Sequence, residues 1–261
     1  MEKYSFTRIE KLVLFGFFTL FSCGIYAQNI PYSEKLYGGS EGGIVGAIDG
    51  EHSVSPSGQF SYSIPIPAVA GTGGVKPALT VAYNSSTKDG LLGYGFELVG
   101  LSMINRTPGT LNDGGISYVN FTSRDKFMLD GMRLVDVGVY AGGGYEYRTE
   151  NDVFARIVAK GNSINPESFT VYTKDGLTYE YKPNGGVTGT NKDKTIFWLV
   201  TKVTDTSGNY YAVTYGGNAS TNDFWPTRII YTGNDKAGLS PYASISFDYG
   251  DNPVSSVSYV Y

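Results

Sequence analysis

The 261-residue chain contains a single imidazole, His52, so any serine–histidine–carboxylate triad would have to run through it. His52 follows a glycine-rich stretch, and a loop there would not hold a base in register with a nucleophile. It is therefore taken as a solvated loop histidine. Carboxylates are numerous enough for the paired-acid chemistry of a glycosidase. Asp89, Asp113, Asp130 and Asp175, however, each precede a glycine. Aspartate in that position stabilises a turn through its own side chain. Asp205-Thr206-Ser207-Gly208-Asn209 resembles the start of a calcium loop but lacks the further acids and the distal glutamate. It is taken as a turn. Trp198 lies among Ile196, Phe197, Leu199 and Val200, as a core residue would. Trp225, placed in a loop before Pro226, is the better candidate for surface contact with a glycan or a protein. The inventory predicts no enzyme, no cofactor and no metal.

The elements that must carry these residues are strands. After the N-terminal segment, apolar spacing at i, i+3, i+4 is not sustained anywhere, and most segments alternate with period two. The 35 glycines and 22 tyrosines suit tight turns and half-buried pleated surfaces. Phe60, Tyr62, Ile64 and Ile66 alternate, with Pro65 and Pro67 marking an edge or an exit from the sheet. Leu79, Val81 and Tyr83 form the next strand, followed by a turn at Asp89-Gly90. Further strands are predicted at 116–121, 126–129, 132–137, 196–204, 210–215, 228–232 and 243–249. The clearest hairpin runs from Ser168 to Tyr181 around Asp175-Gly176, and Asp130-Gly131 marks another. The fold class is all-β, with many short antiparallel strands and hairpins. A curved β-shell, a sandwich and propeller-like blades all satisfy that pattern.

Residues 1–27 have the layout of an export signal. Lys3, Arg8 and Lys11 precede the apolar run Leu12 to Phe21, which is short for a membrane span, and Ala27 suits cleavage. The chain's one cysteine, Cys23, lies in this segment, and its setting loosely matches a lipoprotein signal. A membrane association would follow only if Cys23 were lipidated. Cleavage after Ala27 leaves no cysteine for disulfides, thiol catalysis or cysteine-based metal sites. Removing three basic residues and two acidic ones from 20 and 24 leaves 17 against 22, a net charge of −5. That balance disfavours nucleic acid as a partner. Residues 28–50 form a glycine-rich lead-in without the strand-then-helix context of a phosphate loop. At the other end, Ser255 to Tyr261 looks like a strand with no polar tail, as expected of a truncated chain.

One stretch, Gly58 to Arg106, has a distinctive order. It runs through Gly58 to Pro67, Pro77 to Ser85, Gly90-Leu91-Leu92-Gly93-Tyr94-Gly95-Phe96 and Ile104-Asn105-Arg106. Phe127 to Gly131, Leu134-Val135, Asn151 to Ile157 and Trp198 to Asp205 with Gly208-Asn209 extend the pattern. Together these residues resemble the N-terminal domain of the SpvB family, shared with the B components of insecticidal toxin complexes. Asp205-x-x-Gly208-Asn209 is similar to the core of Rhs/YD repeats. Phe96 stands where the family usually has tryptophan. The resemblance covers roughly residues 50–261, giving an SpvB-like domain at 51–261 with YD-repeat-like strands near 196–261. It implies a non-enzymatic, secreted or cell-surface structural module of a virulence-related protein. In that role the domain helps to build a β-rich shell around a C-terminal effector. Its partners would be downstream Rhs/YD-repeat and effector segments or other toxin-complex subunits. A glycan- or protein-binding domain at the cell surface is the alternative. Gly58, Gly90, Gly93 and Gly95 are expected to permit close turns, and Phe60, Ile64, Leu79, Tyr83 and Phe96 to form the core of the signature.

Overall fold

The computed structural model describes residues 4–6, 9–13, 50–251 and 256–258, except 88, 111–114, 116–117, 188–193 and 219–222. The calls on signal cleavage, on Cys23 and on residues 28–49 lie outside the described residues.

The strands are β1 (Tyr4–Phe6), β2 (Ile9–Val13), β3 (Glu51–Val54), β4 (Phe60–Pro65), β5 (Thr80–Asn84), β6 (Asp89–Gly90), β7 (Gly93–Tyr94) and β8 (Phe96–Val99). They continue with β9 (Met103–Thr107), β10 (Lys126–Leu129), β11 (Met132–Val139), β12 (Tyr145–Thr149), β13 (Arg156–Gly161), β14 (Pro166–Tyr172) and β15 (Thr178–Pro183). The last are β16 (Phe197–Thr204), β17 (Asn209–Asn218), β18 (Asp223–Asn234), β19 (Ala243–Ser246), β20 (Asp248–Asp251) and β21 (Ser256–Ser258). No α-helix occurs among the described residues, so the all-β expectation holds. β1 pairs with β21, and β2 with β20.

Strands β9 to β15 follow one another as antiparallel neighbours, and β16 closes the ring by pairing with both β15 and β9. The result is an eight-stranded barrel, the curved β-wall among the three architectures left open by the strand pattern. Closure removes the exposed edges that an open sheet of this length would carry. The β16 edge is used twice. Phe197, Trp198 and Leu199 pair with β9, whereas Lys202, Val203 and Thr204 pair with β17. The wall therefore splits at β16 and runs on as β17, β18 and β19.

The barrel is filled because alternate residues of every strand point inward. Ile104, Phe127, Ile157, Phe169, Tyr181 and Trp198 are nearly or fully buried there. Phe127 meets Tyr147, Phe169 and Trp198 edge-on, at centroid distances of 5.9, 5.3 and 5.4 Å. The indole of Trp198 donates to the carbonyl of Pro166 at 2.9 Å, which satisfies its one polar atom.

Several turns behave as their residues dictate. In β10–β11, Leu129 faces Met132 across Asp130 (φ 48) and Gly131 (φ 81), the two left-handed positions of a tight hairpin. In β14–β15 the loop closes through Thr173 N to Leu177 O at 3.0 Å. Other expectations fail. Asp89-Gly90 is not the turn but a short strand paired with Gly93-Tyr94, so the chain reverses at Leu91-Leu92. Of the strand expected at 116–121, residues 118–121 are irregular. The amides of Asn120 and Phe121 turn instead toward the carboxylate of Asp125, at 3.2 and 2.7 Å.

Beside the barrel stands a small sheet ordered β3-β4-β5-β8. The segment between β4 and β5 ties it down. Thr72 Oγ1 donates to the carbonyl of Thr232 in β18 at 2.8 Å, and Ile66, Val75 and Leu79 are buried in the common core.

Candidate functional site

The two ends of the barrel differ chemically. One end is sealed by Arg106. Its position in β9, two residues from the buried Ile104, puts it on the inner face. The guanidinium donates to Thr195 O at 3.0 Å, Ile164 O at 2.7 Å, Asn165 Oδ1 at 2.7 Å and Asp125 Oδ2 at 3.2 Å. It also stacks near Phe121, Phe127 and Trp198, at 5.1, 5.3 and 5.7 Å from the ring centroids. Desolvation pushes its pKa down, and Asp125 opposes that shift. A group so fully engaged is a plug, with no donor turned toward solvent chemistry.

The other end is open. A pocket of ≈ 990 Å³ lies there, where the wall splits. Cross-strand pairing places Val171, Tyr179, Val203 and Tyr211 in one inward-facing row. All four line the pocket. At the mouth, Ser102 Oγ donates to Asp130 Oδ2 at 2.6 Å and stands 2.8 Å from the hydroxyl of Tyr181. Asp130 Oδ1 accepts from the amide of Met103 at 2.8 Å. Asp205 Oδ1 accepts from the amides of Ser207 and Asn209, both at 2.8 Å, and Oδ2 from Asn209 Nδ2 at 2.8 Å. Desolvation opposes these bonds, but together they hold the Asp205 carboxyl below its usual range. Burial raises the pKa values of Tyr179, Tyr181 and Tyr211, so all three phenols are neutral at physiological pH. The mouth offers hydrogen-bonding and aromatic surface. Among the described residues no three metal-ligating side chains converge.

The residues singled out from the sequence lie largely elsewhere. Leu79 is buried, at 3 % exposure, whereas Phe60 and Phe96 keep 38 % and 37 %. Ile64 and Tyr83 are half-buried. The expected signature core is therefore an open aromatic face. Tyr83 lies 6.2 Å from Phe60 and 4.9 Å from Phe96, on a face of the small sheet that no described element covers fully. Gly58, Gly93 and Gly95 have positive φ, and a Cβ on Gly90 would stand 1.9 Å from the carbonyl of Phe96. His52 is not in a loop; it occupies the exposed edge strand β3, opposite Tyr62. Trp225 is likewise in a strand, β18, half-buried and 6.4 Å from Tyr249. Pro226 follows it at a register shift, where its missing donor costs nothing. Sequence reasoning missed Asp125, Ser102 and Tyr211. The alternation Ile104-x-Arg106 was a readable sign that Arg106 points inward.

Similarity to known proteins bears on a closed β-barrel that opens into a continuing wall. Residues 54–154 match the family described as SpvB, Salmonella virulence plasmid 65kDa B protein. No curated protein matches the chain. Among solved structures, the chain is similar to the TcdB2-TccC3 complex, with 19% identity, TM-score 0.54, and coverage of 73% of this chain and 10% of that one. It is similar to the Photorhabdus luminescens Tc holotoxin pore, with 18% identity, TM-score 0.56, and coverage of 71% and 10%. It is also similar to the N-terminal domain of effector protein SpvB from Salmonella typhimurium strain LT2, with 17% identity, TM-score 0.50, and coverage of 69% and 65%. The chain thus spans about a tenth of the toxin chains and under two thirds of the SpvB domain. At these identities the likeness is one of fold. Among the described residues no helix is long and apolar enough to cross a membrane.

Proposed function

We propose that this chain is a non-enzymatic, exported wall module of a toxin-related protein. It contributes to a β-rich shell that encloses or presents a C-terminal effector. The single observation that carries this reading is the double use of the β16 edge, which lets a closed barrel run on as further strands. A stand-alone barrel has no need of such a continuation. The SpvB match over 54–154 supports the toxin-related assignment. In this reading, residues 1–27 direct export with cleavage after Ala27, and 28–50 are a linker. The strands from 196 onward serve as the first YD-like units, and the partners are downstream repeat and effector segments or other toxin-complex subunits. The half-buried packing of Trp225 against Tyr249 lends less support to the alternative of a glycan-binding domain.

The test is to express the complete natural reading frame that contains this chain and to treat it with trypsin under native conditions. A protected C-terminal segment, inside a hollow particle by electron microscopy, is the expected result. A C-terminal segment cleaved as fast as in denaturant, with no enclosed volume, would end the wall reading.

A further inference from the structure

We propose that the connection between β4 and β5, residues 66–79, is a flap at the barrel's open end, latched shut on β18 at Thr232. The base of the connection is fixed. The amide of Ile66 donates to Leu79 O at 2.8 Å, and both side chains are buried. Beyond that base the chain forms only the short 3-10 turn Thr72–Gly74 and carries Gly71, Gly73 and Gly74. Long connections without strands of their own are commonly lids or binding loops, and glycine gives such a tip its freedom to move. Gly73, Gly74, Val75, Lys76 and Ala78 line the pocket, so lifting the tip widens the mouth.

The latch is a fault built into β18. Tyr210 faces Gly233 and Tyr211 faces Tyr231, which leaves Thr232 as the extra residue of a β-bulge. Its φ of 79 is one that a β-branched residue seldom adopts. Such strain persists where neighbouring contacts over-determine it, and it gathers at clamps and switches. Here the contacts are two. The Thr232 carbonyl accepts from Thr72 Oγ1 at 2.8 Å, and Thr232 Oγ1 accepts from the amide of Tyr242 at 2.9 Å. Among the described residues, Thr72 to Thr232 is the one side-chain hydrogen bond between the flap and the wall. The seat beneath the tip is shaped for glycine, since a Cβ on Gly73 would stand 2.3 Å from Asn209 Nδ2. Asn209 itself is held, donating to Asp205 Oδ2 at 2.8 Å and accepting from Asn234 Nδ2 at 2.7 Å. A fixed seat thus meets a glycine-rich tip, and opening gives up one hydrogen bond and the burial of Val75. The flap acts within this chain and stands or falls apart from the wall role.

The test is thiol labelling of the full chain by a bulky maleimide, with Cys23→Ser in place so that only an introduced thiol reacts. Val203→Cys puts that thiol on the pocket wall, at a residue 1 % exposed and two positions from Asp205. Leu177→Cys, also in the lining, is the second reporter should the first fail to fold. Ile104→Cys, a fully buried core position in β9, is the reference. The pocket thiol should react at a rate that hardly depends on low urea, as local opening does, whereas the reference thiol should follow global unfolding. Thr72→Val should quicken labelling of the pocket thiol about fivefold, the worth of one hydrogen bond, and Thr72→Ser should keep the original rate. Gly73→Ala should quicken it further, because the added Cβ props the tip off Asn209. The proposal is overturned if the pocket thiol reacts only through global unfolding, or if Thr72→Val or Gly73→Ala leaves its rate unchanged. Equal acceleration by Thr72→Ser and Thr72→Val would show that the hydroxyl is no latch and overturn it as well.

Discussion

The Arg106 guanidinium stands 3.2 Å from the Asp125 carboxylate, and both side chains are fully withdrawn from solvent. This pair joins β9 to the irregular segment before β10, while the other guanidinium bonds reach Ile164, Asn165 and Thr195. Breaking a buried pair by removing one partner leaves the other charge uncompensated, which costs about 3–5 kcal/mol. Arg106→Met and Asp125→Leu should each lower stability by about that amount in urea unfolding. The double variant should lose clearly less than the sum of the two, because the shared term is removed once. Simple additivity would show that the pair is not coupled.

Phe127 sits at the centre of the aromatic cluster, edge-on to Tyr147, Phe169 and Trp198. Truncation to alanine leaves a cavity that a closed barrel cannot collapse around. Phe127→Ala should cost about 3–5 kcal/mol. Thermal unfolding checks this, and a shift of under about 1 kcal/mol would mean that the barrel repacks.

Gly95 and Gly93 separate backbone strain from steric clash. Gly93 has φ 111 with open space where a side chain would go, so Gly93→Val incurs strain alone, about 1–3 kcal/mol. Gly95 has φ 82, and its added Cβ would stand 2.5 Å from the ring of Tyr83. Gly95→Val should therefore cost about 1–3 kcal/mol more than Gly93→Val, through overpacking. Soluble yield and Tm of the two variants give the comparison. Equal values would show that the Tyr83 ring moves aside.

Burial raises the pKa values of Tyr147, Tyr181, Tyr211, Tyr215 and Tyr249 well above that of free tyrosine. Folding therefore favours the neutral phenol. The stability from this preference is fully present below the unfolded value of about 10 and is lost as pH rises from there toward the folded values. Unfolding should begin near pH 10 to 11, with tyrosinate absorbance and loss of β circular dichroism rising together. Smooth tyrosine titration without unfolding would contradict the burial of these phenols.

Much of the local structure was legible in the residues. Asp130-Gly131 and Asp175-Gly176 specify their hairpins, because aspartate and glycine accept conformations that other residues resist. Period-two alternation located most strands, and Leu79, Trp198 and Phe127 were placed in strands or core by that pattern. Residues 116–121 have a strand-like composition, yet at 118–121 it lost to Asp125, whose carboxylate recruits two of their amides. Phe60 and Phe96 were expected in the core of the signature but lie on an open face, since alternation reports which side a residue takes and not whether anything covers it.

The sequence alone determined that the chain is all-β, where the Asp130-Gly131 and Asp175-Gly176 hairpins turn, and the period-two alternation of most strands. These properties belong to single residues and their neighbours, through propensity and pleat. The tertiary structure decided that β16 closes a barrel on β9, about ninety positions earlier, and then hands its edge to β17. It also decided that Arg106 seals one end while Val171, Tyr179, Val203 and Tyr211 line the other. Backbone ladders between distant strands use the same N–H and C=O groups in every residue, so no residue type announces the partner. Only the closing of the wall brings Ser102, Asp130 and Tyr181 within hydrogen-bonding reach.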